Sequence, residues 1–555
     1  MSPRILLAAV IAFIPTSICR AADPAVEAKH GMVVSVSPYA SEAGVQILQK
    51  GGNAVDAAVA TAFVLAVTFP EAGNIGGGGF MLVHPPKGEP VVIEYRETAP
   101  AAATRDMFAK QTNTYALNAV GVPGTVRGLA LAHQKFGHTP WKDLLAPAIE
   151  LAEKGFALDA RTARSLNLIV ALSKNFPEFV RVYGKDSGKA KWSEGDRLML
   201  PDLAKTLRLI ADGGADAFYK GPIADQIVAE MKSGGGLIAK EDLANYKANI
   251  RKPIHGTYRG YDVYGPSPPS GGGICLVEML NILENFELKP RDRLTPKSIH
   301  LMAEAMRRAY CDRARWLGDP DFAKIPEHLT SKTYARKLAK TISLDKATPS
   351  DQLAKEIPLA PEGSDTTHFS VIDKDGLAVA NTYTLEHSFG SKFVVRGAGF
   401  LLNNEMSDFN WKPGVTDRNG RIGTEPNVVA PGKRMLSSQT PTIVARGGKP
   451  ILVTGSPGSR TITNTVLCIV VNVIDFQMNI RDAVDAPRIH HQWFPDEIKM
   501  ERIKENPELV EALRTMGHKV IDARQGDGHS IWIDPKTGVY YGAADHRLIG
   551  SAKGY

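Results

Sequence analysis

Two adjacent threonines, Thr366 and Thr367, stand where a polar linker gives way to a strand pattern. The linker, Pro358 to Asp365, contains proline and glycine. After it come the apolar-rich run His368-Phe369-Ser370-Val371-Ile372, a Lys374-Asp375-Gly376 turn, and a second run from Leu377 to Thr384. That pattern predicts a β-hairpin. A threonine hydroxyl is a weak nucleophile at neutral pH. Cutting the bond before Thr366 places a free α-amine beside the hydroxyl. With a reference pKa of about 7.7–8.0, that amine is a built-in general base.

The turn sets what faces the nucleophile. A three-residue Lys374-Asp375-Gly376 loop with Gly376 left-handed pairs Asp373 with Leu377 and sets Thr366 opposite Thr384. Opposed side chains have Cβ atoms about 4.5–5.5 Å apart, which brings the Thr384 hydroxyl within reach of Thr366. A two-residue Asp-Gly turn shifts this register by one.

The stretch Thr366-Thr367-His368-Phe369-Ser370-Val371-Ile372-Asp373-Lys374-Asp375-Gly376 resembles the autoprocessing site of the γ-glutamyltranspeptidases, a family of N-terminal-nucleophile hydrolases. The resemblance runs from about His30 to Tyr555. It implies cleavage between Asp365 and Thr366, with Thr366 as nucleophile and Thr384 as its assistant. Thr454-Gly455-Ser456-Pro457-Gly458-Ser459-Arg460 resembles the family's oxyanion loop, which implies that the N–H groups of Gly458 and Ser459 hold the developing charge. Arg96, in Tyr95-Arg96-Glu97-Thr98, matches the arginine that binds the donor's α-carboxylate; a planar guanidinium suits bidentate pairing. Ser437 and Ser438 match the serines that share that carboxylate. Glu405 and Asp408 match the acids that hold the α-ammonium.

Three positions depart from the family pattern. Ser459 stands where the family has a second glycine, and Glu386 where many members have asparagine; the Glu386 carboxylate can still accept from the substrate ammonium or instead pair with a nearby base. Asn419, within the lid-like Pro413 to Pro431 segment, stands where some members have a capping tyrosine. Alone, the oxyanion loop reads as an ordinary Pro-Gly turn, and each binding residue as a solvated polar group. Five motifs in the family's order favour the functional reading.

The elements that must position these residues are legible in outline. Helices are expected over Ser41–Lys50 with Ser41 as N-cap, from Asn53 to before Pro70, over most of Thr125–Arg164 and Leu200–Tyr246, and over Lys297–Trp316. Strands are expected around Arg259 to Val263, over Phe80–His84 and Pro450–Thr454, and dominate after Thr366. Periodicity alone says only α with β. The resemblance implies an α+β fold, the four-layer αββα sandwich. Gly76-Gly77-Gly78-Gly79 lacks the Gly-Lys-Ser/Thr ending of a phosphate loop and reads as a close backbone approach.

Composition narrows the class. The chain has 555 residues, 43% of them hydrophobic and 23% charged, as in ordinary globular enzymes, and length alone suggests two to four domains. The net charge of +7 is spread along the chain without a long basic run, so no nucleic-acid partner is expected. Arg4 followed by the apolar Ile5 to Ile14 reads as a secretory signal over residues 1–22, too short to span a bilayer. The expected protein is bacterial, exported, periplasmic or secreted, and without a stable membrane anchor. Cys275, Cys311 and Cys468 are scattered and read as buried thiols. His490-His491 lacks partners at ligand spacing, and no metal or organic cofactor is expected.

The resemblance therefore implies a precursor cut into a large segment, residues 23–365, and a small one, residues 366–555, that pair as a heterodimer around one core. Its substrates would be glutathione and other γ-glutamyl compounds, with water, amino acids or dipeptides as acceptors. A β-lactam side-chain acylase of the same superfamily and a non-catalytic binding protein that keeps the fold are the alternatives.

Overall fold

The structure is a computed structural model that describes residues 24–354, 360–361 and 366–555; the expected signal segment and Asp365 lie outside the described residues. Two seven-stranded sheets form its centre. Across the first sheet, edge to edge, run Ser551–Gly554, Gly31–Ser35, Thr367–Asp373, Ala378–Thr384, Gly78–His84, Val91–Glu94 and Asn249–Arg251. The second sheet runs Val26–Ala28, Tyr540–Ala544, His529–Ile533, Lys449–Thr454, Thr442–Arg446, Tyr261–Gly265 and Ile254–Tyr258. Every pairing within them is antiparallel.

Strand alternation builds the layers. Met32, Val34, Phe80, Leu82, Ile372 and Ala380 of the first sheet pack on Ile443, Val453, Ile531 and Ala544 of the second. The opposite face of the first sheet carries Val33, Met81, Phe369, Val371 and Val379 into a core shared with the helices Pro38–Gln49 and Ala54–Thr68. Behind the second sheet lie Gly272–Leu283, Pro296–Trp316 and Thr461–Ile474. The result is the four-layer αββα sandwich. Each fully buried Val, Leu, Ile or Phe contributes roughly 1.5–3 kcal/mol.

Local sequence explains the elements that matter most. Ala54–Thr68 is buried on every side, so alanine and valine fill it. Asn53 caps it, accepting from the N–H groups of Val55 and Asp56, and the Asp56 carboxylate returns the bond to the Asn53 N–H. The helix before it starts earlier than expected. Ser37 is the cap position and Pro38 opens the first turn, while Ser41 is buried and bonds Ser35 and the Ser551 carbonyl. Proline at the first helical position is the stronger start signal. Cys275, Cys311 and Cys468 are buried thiols, as expected. Among the described residues no helix is long and apolar enough to cross a membrane.

Candidate active site

Thr367 pairs with Tyr383, His368 with Thr382, and so on to Ile372 with Ala378. The Asp373 N–H donates to the Leu377 carbonyl and Gly376 has φ 83°, the three-residue loop. Extending this register by one sets Thr366 opposite Thr384. By alternation both side chains lie on the face toward the second sheet, with Ile372 and Ala380. Thr366 is the residue before the first strand position, at the hairpin's open end, and is 8% exposed.

The glycine cluster holds this end of the hairpin. A Cβ on Gly77 would lie 2.0 Å from the Thr384 carbonyl oxygen, and one on Gly79 2.3 Å from that of Thr382. Asn74 donates to the Thr384 carbonyl and accepts from the Gly77 N–H. The four glycines therefore serve close backbone approach, as the sequence suggested. The Thr384 hydroxyl accepts from the Glu386 N–H at 2.8 Å.

Below the hairpin, His368 is wedged between the sheets. Its ring bonds Thr382 Oγ1 at 2.8 Å and Ser370 Oγ at 3.1 Å, and Ser370 donates to the His529 carbonyl of the second sheet. Burial, reinforced by nearby His529, holds its pKa well below the usual histidine range, so the ring is neutral. Gly455, at the end of strand Lys449–Thr454, abuts this ring; a Cβ there would lie 2.3 Å from it.

The chain after Gly455 turns through Gly458 (φ 126°) and Ser459 (φ 56°) into the helix Thr461–Ile474. The Thr461 and Ile462 N–H groups close the turn on the carbonyls of Gly458 and Ser459. Among the described residues the N–H groups of Gly458 and Ser459 have no acceptor. They stand at the positive end of a 14-residue helix that has no side-chain cap, a favourable place for negative charge.

Thr366, Thr384, Glu386 and Ser459 line one cavity. Arg96, Glu405, Asp408, Ser437 and Ser438 line it too, so nine of the ten expected catalytic and binding residues meet there. Gly458 faces a neighbouring cavity of about 340 Å³ that shares Thr366 with the first. Ile422 and Thr424, from the lid-like segment, complete a wall of the first cavity.

The recognition residues are bonded to one another. The Arg96 guanidinium is fully buried, bridges Glu405 and Asp408, and donates from Nε to the Met435 carbonyl at 3.2 Å. Glu97 lies 3.7 Å from it. Burial opposes the Arg96 charge, but Glu405 and then Asp408 outweigh it and hold the guanidinium above its usual range. Burial pushes Glu405 well up and Glu97 up to about 7. The cavity measures about 20 Å³, room for about one water.

Carboxylate oxygens of Glu386, Glu405 and Asp408 lie within 4.8 Å of one another, and the Arg96 guanidinium bridges two of them, Glu405 and Asp408. Elsewhere His300, Glu304 and His518 converge similarly. There Arg307 and Arg308 pair with Glu304, and the two histidines bond each other at 2.8 Å. With two arginines against one carboxylate, that second cluster lacks the charge balance of a cation site. His490 and His491 are buried and occupied by Asn464, Gln492 and Asp496.

Two cationic cavity residues, Arg313 and Arg460, were not assigned a role from the sequence. Arg313 sits in the last turn of Pro296–Trp316 and donates to Ser438 Oγ at 2.9 Å. Arg460 follows the oxyanion-like loop directly; burial, and after it the nearby Arg313, lowers its pKa to about 9.

An αββα sandwich whose central hairpin delivers a threonine to a polar cavity is the architecture of the N-terminal-nucleophile hydrolases. The gamma-glutamyltranspeptidase family model matches residues 40–555. A glutathione hydrolase proenzyme of Escherichia coli (strain K12) is 48% identical over 536 residues, 94% of this chain and 91% of that protein. Among solved structures, a cephalosporin acylase from Bacillus halodurans superposes with TM-score 0.86 at 30% identity, over 98% of this chain and 99% of that one. The γ-glutamyltranspeptidase of Helicobacter pylori gives 0.56 at 44% identity, over 57% of this chain and 93% of that one. The chain belongs to the γ-glutamyltranspeptidase family.

Proposed function

We propose that this enzyme is a γ-glutamyl acyltransferase and glutathione hydrolase, made as a precursor, exported, and cut between Asp365 and Thr366. The observation that carries the reading is the convergence of Thr366, the Ser459 loop and the Arg96–Glu405–Asp408 cluster on one cavity. After cleavage the Thr366 α-amine takes the hydroxyl proton. Oγ1 then adds to the γ-carbonyl of the donor, and the N–H groups of Gly458 and Ser459 hold the oxyanion. The amide C–N bond breaks and the leaving amine takes the proton. Water or an acceptor amine then attacks the acyl-enzyme, giving glutamate or a new γ-glutamyl amide.

Donor recognition follows from the ion pairs. A zwitterionic amino acid replaces them charge for charge: its ammonium meets Glu405, Asp408 and Glu386, and its carboxylate meets Arg96, Ser437 and Ser438. The same cluster disfavours the acylase reading, because a β-lactam side chain without an α-ammonium leaves the carboxylates short of a cation.

Incubating the purified protein with glutathione, with and without glycylglycine, tests the proposal. Glutamate is expected alone, and a γ-glutamyl dipeptide when glycylglycine is added. Release of an acyl side chain from a cephalosporin, with no glutamate from glutathione, would favour the acylase instead.

A further inference from the structure

Among the described residues, Arg313 is a cation of the donor cavity with no protein anion beside it. Arg96 is bracketed by Glu405, Asp408 and Glu97. Arg313, on the wall with Ser437 and Ser438, is 9% exposed, and among the described residues no carboxylate lies within 4.0 Å of its guanidinium. Its Nε is buried without a hydrogen-bond acceptor. A buried guanidinium left in this state is costly unless an anion arrives to pair with it.

The neighbouring hydroxyls are set to serve the same anion. Ser438 Oγ accepts from Arg313 Nη2 at 2.9 Å, and Ser437 Oγ accepts from the Gln439 N–H at 3.1 Å. Among the described residues neither hydroxyl donates a bond. Each keeps its own hydrogen to give, and a carboxylate is the ligand that takes two O–H donors beside an unspent positive charge.

We propose that Arg313 is a second determinant of specificity for the donor's α-carboxylate, orienting Ser438 through its hydrogen bond and adding a positive charge beside the one Arg96 offers once the donor's ammonium takes over Glu405 and Asp408. This rests on the γ-glutamyl reading and names a further residue that makes the free carboxylate a requirement. Because Arg313 acts partly through Ser438, its removal should show in recognition more than in turnover.

The test compares γ-glutamyl-p-nitroanilide with the same anilide bearing an α-carboxamide in place of the α-carboxylate. The wild type should favour the carboxylate by about a hundredfold or more in kcat/KM, as sites built around a buried polar partner do. Arg313→Gln should raise KM for the carboxylate donor by about tenfold or more, change kcat less, and bring the preference down to within about threefold. Arg313→Lys, which keeps the charge, should recover part of the preference. Self-cleavage of each variant reports that it has folded. An Arg313→Gln enzyme that keeps the full preference overturns the proposal, and so does a wild type that turns over both anilides equally. A self-cleaved wild type that releases nitroaniline from neither donor removes the γ-glutamyl reading itself, and this inference with it.

Discussion

Ser459 holds a left-handed backbone, φ 56°, that costs a residue with a Cβ roughly 1–2 kcal/mol and glycine almost nothing. Glycine would relieve that cost and keep the proposed donor, the N–H, which both residues own. Ser459→Gly should keep activity within about tenfold, equivalent to about 1.4 kcal/mol of barrier. A loss near a thousandfold would assign the chemistry to the hydroxyl and cancel the oxyanion role. Arg96→Lys keeps charge but cannot reach Glu405, Asp408 and the Met435 carbonyl at once. KM for glutathione should rise strongly while self-cleavage persists; an unchanged KM would remove Arg96 from recognition. Glu97 gives a pH signature. Burial raises its carboxyl from 4.5 to about 7, so between those values the folded state holds a proton the unfolded state has lost. Stability from this group therefore falls as pH rises through that window. Glu97→Gln should raise Tm at pH 8 relative to wild type and leave the two alike near pH 4. Equal Tm shifts at both pH values would contradict the assignment.

At the scale of elements, the hairpin was the most legible part of the chain. Lys-Asp-Gly specifies a short loop with glycine left-handed, and the loop sets the register that brings Thr366 and Thr384 to one end. The stacking of two sheets was not legible from periodicity, because strands buried on both faces, such as Thr367–Asp373, carry no clean alternation of apolar and polar residues. That part came with the family resemblance. Arg313 was missed for a related reason. Arginines on a helix usually mark a solvated face, and nothing local in Asp312-Arg313-Ala314-Arg315 tells that this helix end is buried beside the cavity. What the sequence could not supply at all was the contact between strands far apart in the chain, where Gly455 meets His368. Gly455→Ala forces a methyl group to within 2.3 Å of a ring two residues from the nucleophile, and overpacking of this kind costs roughly 1–3 kcal/mol. Either the hairpin or the Thr454 strand must shift. Self-cleavage followed on denaturing gels should slow by more than about tenfold; a wild-type rate would show that His368 does not help to place Thr366.

At the scale of the whole molecule, the proposed cut falls inside one body. In the first sheet, Thr367–Asp373 and Ala378–Thr384 are inserted between Gly31–Ser35 and Gly78–His84, so strands from after position 365 are hydrogen-bonded on both flanks to strands from before it. The second sheet likewise joins Thr442–Arg446 to Tyr261–Gly265 and Tyr540–Ala544 to Val26–Ala28. Separating the two segments would open both sheets and expose the core between them, whose residues come from both. The consequence is a covalent cut without dissociation. Purified protein should give two bands under denaturing conditions, the smaller beginning Thr-Thr-His-Phe, yet run as one species on a sizing column and unfold in one transition. Thr366→Ala lacks the hydroxyl proposed to initiate cleavage and should stay a single, inactive chain with a similar unfolding midpoint, because the change removes little from the core. Cleavage of Thr366→Ala at the same bond, or a smaller band with any other first residue, would show that Thr366 is not the residue that cuts the chain. If the pieces separated under native conditions, the interleaved sheets would not be what holds the processed enzyme together.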